Sequence, residues 1–466
     1  MLTRYFRATS EGATGGSVKK LAFLLGILAF AALLGLPAAF AQAPAGPIAP
    51  APHEQPAPGT PEAREAAKIV TAYTLPPELY AKTKKLEKIK LTFLGVSTVY
   101  GLVLLWLLLG WKLAPKYRNW AEGMSGKFVL QVLVFSPLFI LTLDILSLPL
   151  DIFRQSVTRR YGLSIERWGP WAWDWTKGEL VSVITGLILI LVFYAVMRSS
   201  PRRWWLYFWL AFLPLLALDI FLQPLLIDPL FHKFVPMEEK NPALTAALEQ
   251  MIDRAGENIP PERIYWMNAS EKLNELNAYV TGIGSSKRMV VWDTTIAKLT
   301  TPQVVAVCGH EMGHYVLNHI PKVFAIAAIG SLIIFYLGYR LIGGFLTRWG
   351  AGWDIRAPAD LASLPALLLL LAIASFLLTP VTNAISRYFE HQADQYALEV
   401  THGLTPDSGQ VAAQTFQVLG EVDLDYPDPG PVDVFLTYNH PATRDRVRFS
   451  LSYDPWAHGG TGRFVH

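Results

Sequence analysis

Residues 305–319 read VAVCGHEMGHYVLNH and carry His310, Glu311 and His314 in the order His-Glu-x-x-His. On a helix of about 3.6 residues per turn, positions four apart lie one above the other, so both imidazoles can reach a single ion. Glu311, beside the first histidine, then points toward a water molecule at that ion. This spacing is typical of zinc hydrolases and predicts one zinc ion per chain.

A second segment, residues 386–400 with the sequence SRYFEHQADQYALEV, offers the remaining site residues. A catalytic zinc ion takes three protein ligands and leaves one position open, and the third ligand is best sought on another helix. Glu390 and Asp394 are four apart on one helical face, so Glu390 can bind the metal while Asp394 accepts a proton from a metal-binding imidazole. His391 is adjacent but rotated away from that face, which indicates a structural role.

Together these residues predict a peptidase mechanism. Zinc lowers the pKa of a bound water toward about 7 and polarises the scissile carbonyl, while Glu311 takes the water proton and passes it to the leaving amine. The developing oxyanion needs further donors, and the tail offers His440 and Arg446 for this purpose. His319, a turn and a half after His314, lies off the ligand face and is predicted to act as a cation at the helix C-terminus.

The composition indicates a membrane protein. Of the 466 residues, 52% are hydrophobic and only 17% are charged, and the mean hydropathy is +0.30. The formal net charge of +3 and the pI near 8.7 are too mild for a nucleic-acid-binding protein, so nucleic acid is not expected as a partner. The single cysteine, Cys308, excludes an internal disulfide and is predicted to be a small buried side chain in the metal helix.

Two segments precede the main membrane region. Residues 1–41 combine a basic start, an apolar stretch and Ala-x-Ala before Gln42, which fits either a cleaved signal peptide or a retained first transmembrane helix. Residues 42–90 form a spacer rich in Pro and Ala, followed by a juxtamembrane helical segment that ends in the basic sequence YAKTKKLEKIK.

Six further apolar segments can each cross a hydrocarbon core of about 30 Å as a helix. They are predicted at residues 91–111, 128–150, 180–197, 204–227, 323–339 and 361–379. They form a four-span membrane region, 91–227, and a two-span region, 323–382. The polar segments 228–322 and 383–466 are predicted to form one metalloprotease lobe. The expected fold is mostly α, a polytopic membrane helical bundle with an inserted gluzincin-like α+β lobe.

Two of the predicted spans carry an acidic residue, Asp144 in one and Asp219 in another. A charged side chain is costly in lipid. Each acid therefore either reaches the headgroups from near a helix end or faces an aqueous cavity between helices. The sequence alone leaves both interpretations open.

The first part of the lobe has a mixed helix and strand pattern. An amphipathic helix is predicted to begin after Asn241 and to end at Gly256. Short strands are predicted at residues 263–267, 277–280 and 289–292. Thr301, followed by proline, predicts the start of the metal helix, on which Gly309 and Gly313 leave room for close approach of another backbone.

The chain resembles the type I CAAX prenyl endopeptidases, a family of integral-membrane zinc metalloproteases. The resemblance runs over about residues 73–449. The stretches that carry it are YTLPPELYAKTKKL, LPLDIFRQSVTRRYGLS, IDPLFHKFVPM, NAYVTG, KRMVVWDT, GHEMGHYVLNH, SRYFEHQADQYA and NHPATRDR. Several separated motifs in the right order are much more specific than one motif alone.

This resemblance implies a chamber of membrane helices roofed by the zinc lobe, with His310, His314 and Glu390 as ligands and Glu311 as the base. The implied substrates are peptides or proteins that are membrane-associated or prenylated, and the implied second partner is the lipid bilayer. The implied activity is proteolysis, in C-terminal CAAX-type processing or in quality control of membrane proteins.

The resemblance also implies substrate contacts outside the metal helices. Asn277, Ala278 and Tyr279 would belong to an edge strand that pairs with an extended substrate peptide. His440 and Arg446 would assist at the reacting carbonyl or at the substrate terminus. Backbone pairing of this kind holds a peptide without selecting much of its sequence.

Two functions of other classes remain as alternatives. A structural or chaperone-like membrane protein would close its zinc site with a fourth ligand, for which His391 and His440 are candidates. A transporter would use Asp144 and Asp219 along its path. The basic loops do not assign the catalytic side of the membrane, because both sets of loops between the spans are basic.

Overall fold

The computed structural model describes residues 68–282 and 284–466 of the chain. The expectations for residues 1–41 and for the Pro/Ala-rich spacer up to residue 67 lie outside the described residues, and so does the side chain of Asp219. In the described part, long apolar helices form a bundle that carries a smaller lobe with a four-stranded sheet.

The first membrane region consists of four long helices and one shorter amphipathic helix. They are α1 (Pro77–Gly110), α2 (Leu113–Met124), α3 (Phe128–Tyr161), α4 (Trp168–Ser199) and α5 (Trp204–Leu222). By length and composition α1, α3 and α4 can cross a membrane, and α5 contains a shorter apolar helical segment. α1 begins well before its predicted span at residue 91, because the preceding basic segment consists mainly of strong helix formers.

The first part of the lobe follows a π-helical turn, Gln223–Ile227, at the end of α5. Its elements are β1 (Phe234–Pro236), α6 (Met237–Lys240), α7 (Pro242–Arg254), β2 (Ile264–Met267), β3 (Ala278–Thr281), β4 (Arg288–Trp292), α8 (Asp293–Lys298) and α9 (Thr301–Val316). The sheet has the order β1-β2-β4-β3, in which β2 and β4 are parallel and the other pairs are antiparallel. β3 therefore lies at an edge of the sheet, where it packs against α9.

The local predictions for this part hold with small shifts. The three predicted strands are confirmed, and the sheet has β1 as an additional strand. The Asn241 side chain caps α7 by accepting a hydrogen bond of 3.0 Å from the Leu244 backbone N–H, and Gly256 follows the helix with φ 68°. The cap of α9 is Thr300, one residue earlier than expected, because Thr300 and Gln303 form a reciprocal capping box.

The second membrane region consists of α10 (His319–Trp349) and α11 (Leu364–Thr401). α11 has 38 residues and continues through Pro380. Membrane helices tolerate an internal proline where neighbouring groups satisfy the freed carbonyl. The boundary expected at residues 382–383 thus lies inside one continuous helix. The segment that carries Glu390 and Asp394 is consequently a rigid extension of a membrane-spanning segment.

The tail adds α12 (Ser408–Val422), α13 (Pro431–Thr437) and α14 (Thr443–Ser452) to the lobe. One hydrophobic core joins both parts of the lobe. It includes Leu248, Val291, Val307, Leu398 and Val447. Each such fully buried side chain contributes about 1.5–3 kcal/mol to the free energy of unfolding, so the two parts, although separated by α10 and most of α11, fold as one body.

Two further expectations can be compared with the structure. Asp144 lies near the middle of α3 and is 0% exposed, so the interpretation that it reaches the headgroups is wrong and it faces the bundle interior. Cys308 is a fully buried side chain in the lobe core, as predicted. The predicted fold class, a mostly helical polytopic membrane bundle with an inserted α+β lobe, is confirmed.

Candidate active site

Two glycines allow α9 to approach α11 closely. A Cβ atom at Gly309 would lie 3.1 Å from Val400 Cγ1, and one at Gly313 would lie 3.0 Å from Tyr396 Cβ. A larger side chain at either position would push the two helices apart. The close approach predicted for these glycines is confirmed, and it brings the motif on α9 against the acidic segment of α11.

Three side chains from these helices converge in the lobe interior. His310 Nε2 and His314 Nε2 are 3.1 Å apart, and they lie 3.2 Å and 3.4 Å from the carboxylate oxygens of Glu390. Burial lowers the pKa of His314 to about 4, so its imidazole is neutral at pH 7 and can offer a lone pair. Glu311, the next residue after His310, is also buried. Two imidazole nitrogens and one carboxylate are a donor set that fits a catalytic zinc ion.

Asp394 contacts His310 on the Nδ1 side of the ring, opposite to the other two candidate ligands. Its Oδ1 accepts a hydrogen bond of 2.8 Å from His310 Nδ1, which turns Nε2 of the ring toward Glu390. Arg446 donates from Nε to Asp394 Oδ2 at 2.8 Å and from Nη2 to Oδ1. Its guanidinium also lies 4.0 Å from the ring centre of Phe416. Because Asp394 and Arg446 are both buried, each compensates the charge of the other.

His440 reaches the same cluster from the loop between α13 and α14. Its Nε2 lies 3.2 Å from Glu390 Oε2, and its Nδ1 lies 2.8 Å from Asn439 Oδ1. The Ser386 hydroxyl of α11 donates a hydrogen bond of 2.7 Å to the Asn439 carbonyl and holds the loop in place. His440 is nevertheless outside the group of three residues whose ligand atoms all lie within 4.8 Å of one another.

Asn277, Ala278 and Tyr279 lie at the edge strand that faces α9. All three are buried, and β3 has β4 as its single neighbour among the described strands. The Tyr279 hydroxyl donates a hydrogen bond of 3.3 Å to Asp228 Oδ2, and Arg288 Nη2 lies 3.6 Å from the same oxygen. These contacts tie the edge strand to the segment that follows the π-helical turn of α5.

Sequence reasoning missed the position of one further histidine. His319 does not act as an exposed cation at a helix C-terminus, because Asn318 adopts φ 55° and His319 begins α10 as a buried residue. Its Nδ1 lies 3.0 Å from His314 Nδ1. An asparagine directly before the histidine was the available signal, since Asn tolerates the left-handed conformation that redirects a chain. His391, by contrast, packs on the ring of Phe449 with centroids 4.4 Å apart.

A cavity of about 300 Å³ adjoins His440. It lies between α1, α3, α11 and the loop that follows α13, and most of its lining is apolar. Residues from each of these elements contribute to its walls, among them Leu86, Leu94, Val157, Thr379 and Tyr438. A cavity of this size beside reactive groups is suited to an apolar group of a bound ligand.

Comparison with known proteins covers both halves of the chain. Residues 64–233 match the CAAX prenyl protease N-terminal region, which has five membrane helices, and residues 238–452 match Peptidase family M48. The crystal structure of Ste24p from S. mikatae superposes with a TM-score of 0.70 over 84% of this chain and 95% of that chain, at 22% sequence identity. That structure has the same fold.

The alignments with related sequences cover most of this chain and most of each relative. The uncharacterized metalloprotease YhfN of Bacillus subtilis is 35% identical over 390 residues, which cover 83% of this chain and 89% of the relative. CAAX prenyl protease 1 of Saccharomyces cerevisiae is 25% identical over 400 residues, covering 79% and 85%. With the metal-binding geometry and the apolar helices, these matches establish that the chain belongs to peptidase family M48 and is a multi-pass integral membrane metalloendopeptidase that acts on peptides or proteins.

Proposed function

We propose that the chain is a zinc peptidase embedded in the lipid bilayer, with His310, His314 and Glu390 as the metal ligands. The observation that carries the proposal is the convergence of two imidazole nitrogens and one carboxylate, with Glu311 on the same helix. A zinc ion held there would lower the pKa of a water molecule toward about 7 and polarise the scissile carbonyl. The set of three ligands leaves room for substrate, as catalytic sites require.

The chain's own residues would perform the remaining steps. Glu311 would take the proton of the attacking water and return it to the leaving amine. His440, beside Glu390, would donate a hydrogen bond to the developing oxyanion. For Arg446 the contacts favour a positioning role, because its guanidinium donates two hydrogen bonds to Asp394, the carboxylate that holds His310, and its Nη2 lies 3.4 Å from His310 Nδ1.

The edge strand would bind the substrate backbone. Asn277, Ala278 and Tyr279 lie at the β3 edge of the sheet that the described strands form, beside α9, so an extended peptide that pairs with β3 would pass along the metal helix. Tyr279 would contribute indirectly, because its hydroxyl is bonded to Asp228 and fixes the strand.

Removal of the metal tests the peptidase against a protein with a purely structural zinc site. We expect purified protein in lipid nanodiscs to hold about one zinc ion per chain by elemental analysis and to cleave casein or a prenylated peptide. Chelation should abolish cleavage, and added zinc should restore it. Full zinc occupancy without any chelator-sensitive hydrolysis would instead support a structural site.

We further propose prenylated peptides as the substrate class. The support is the cavity beside His440, which lies between apolar helices, is lined mostly by apolar groups and has the size to hold part of a prenyl chain. One of the relatives is a CAAX prenyl protease 1, which accords with this choice.

A pair of peptides with one sequence, one farnesylated and one not, tests this substrate class. Each buried methylene contributes about 0.8 kcal/mol, so burial of only two gives a preference of about tenfold in kcat/KM for the farnesylated peptide. Val157→Phe, which narrows the cavity, should reduce the preference, whereas Val99→Phe on the exposed face of α1 should not. Equal kcat/KM values for both peptides with the unchanged protein would contradict the proposal.

A further inference from the structure

The bend between α9 and α10 turns His319 back toward the three proposed metal ligands. The left-handed conformation of Asn318 separates the two helices, and His319, the first residue of α10, is only 2% exposed. Its ring stacks on Phe389 of α11 with centroids 4.6 Å apart and lies 5.1 Å from the ring of His314. The imidazole is thus fixed between the two helices that supply the metal ligands.

The hydrogen bonds around His319 can be given a direction. The amide of Gln392 donates from Nε2 to the Tyr388 hydroxyl at 3.3 Å, which turns its Oε1 toward His319 Nε2 at 3.2 Å. An amide oxygen only accepts, so His319 Nε2 carries the hydrogen. In the neutral ring the other nitrogen, Nδ1, then accepts, and its partner at 3.0 Å is His314 Nδ1.

This order of donors decides which nitrogen of His314 is available. If His314 Nδ1 carries the hydrogen, the lone pair of the neutral ring is on Nε2. That is the atom which lies 3.1 Å from His310 Nε2 and 3.4 Å from Glu390 Oε1. The hydrogen bonds from Gln392 through His319 therefore direct the lone pair of His314 toward His310 and Glu390, the other two proposed ligands.

We propose that His319 and Gln392 act as a positioning relay for His314, the counterpart of Asp394 and Arg446 on the other histidine. The relay fixes the tautomer and the ring orientation of His314 through the hydrogen bond between the two Nδ1 atoms. Partners of this kind around a metal ligand raise metal affinity because they reduce the freedom that the ligand loses on binding.

The two histidines are supported by different chemistry. His310 is supported by a carboxylate whose charge Arg446 compensates, whereas the relay on His314 is uncharged. The site already contains the buried carboxyl groups of Glu311 and Glu390. A further carboxylate in direct contact with His314 would add a buried charge without a cation to compensate it, and this is costly. A neutral histidine avoids that cost.

The inference rests on the proposed zinc site, and its test measures metal binding by the full-length protein in detergent. The dissociation constant for zinc is obtained by competition with a chromophoric chelator, and the Tm of the metal-free protein is measured in parallel. His319→Phe keeps a ring against Phe389 but removes both nitrogens. Gln392→Leu removes the acceptor for His319 together with the donor to Tyr388, and Gln392→Glu retains an acceptor for His319 while losing that donor. His391→Gln, next to Gln392 but outside the relay, is the matched control.

We expect His319→Phe to weaken zinc binding about 10- to 100-fold and Gln392→Leu to weaken it about tenfold, as is usual for partners of metal ligands. Gln392→Glu and His391→Gln should bind zinc at least as tightly as the unchanged protein. If His319 had a purely structural role, His319→Phe would lower the Tm of the metal-free protein, and the zinc affinities of the four variants would not follow the order expected here.

Zinc affinity of Gln392→Leu within about twofold of the unchanged protein would overturn the relay, since about tenfold is expected. Gln392 is half-buried and lies on another helix, so this variant decides the question even where His319→Phe fails to fold. An unchanged protein that binds no zinc would refute the proposed metal site itself. The two failures are therefore distinguishable.

Discussion

Glu311→Gln should retain its zinc ion and lose peptidase activity. The carboxylate of Glu311 is proposed to take a proton from water, and a neutral amide of nearly the same shape cannot do so. Since general acid–base catalysis contributes about 10²- to 10⁴-fold, we expect kcat to fall by about that factor. The measurement is peptide hydrolysis by protein whose zinc content has been determined by elemental analysis.

The control for this substitution is Glu262→Gln, which makes the same chemical change at an exposed residue of the lobe. It should leave both kcat and zinc content unchanged. Turnover by Glu311→Gln at the rate of the unchanged protein would remove Glu311 from the mechanism. Loss of zinc together with activity would instead assign Glu311 a role in holding the metal, which the geometry of the three ligands does not require.

His310→Ala should lose the metal itself. The substitution removes one of the three proposed ligand atoms and leaves the buried pair of Asp394 and Arg446 without its imidazole partner. We expect the zinc content to fall from about one ion per chain to below about one tenth, with activity lost in parallel. A ligand that binds only the folded protein stabilises it by about 4 kcal/mol at a thousand times its Kd, so the increase of Tm on addition of zinc should also disappear.

His391→Ala is the matched control for metal loss, because His391 lies on α11 next to Glu390 but packs on Phe449. It should keep its zinc ion and its activity. If His391→Ala lost the metal as His310→Ala does, His391 would be a fourth ligand and the site would be closed and structural. Equal zinc content in His310→Ala and in the unchanged protein would exclude the proposed ligand set.

Local periodicity explains why the proposed metal ligands could be placed on two helical faces from the sequence. His310 and His314 share a face of α9 for the same reason that Glu390 and Asp394 share a face of α11, because residues four apart coincide on any α-helix. The capping residues at the start of α9 and the glycines within it are equally local signals. Each of these signals can be read from a single helix without knowledge of its neighbours. In the structure, α9 and α11 are in close contact.

The roles of Arg446 and His319 could not be predicted in this way. Arg446 is 52 residues from Asp394 in the sequence, and only the packing of α14 near α11 brings its guanidinium to that carboxylate. His319 is five residues from His314, a spacing that on an uninterrupted helix separates two side chains. A single left-handed residue between them reverses that expectation.

The sequence by itself determined the membrane class, the metal motif and its carboxylate partner, because each depends on composition or on the repeat of one helix. The tertiary structure decided how the site is supported. α11 extends without a break from the membrane region to Glu390, and long-range contacts select the partner of each histidine. Such contacts depend on how separate elements pack, and no period within one element specifies them.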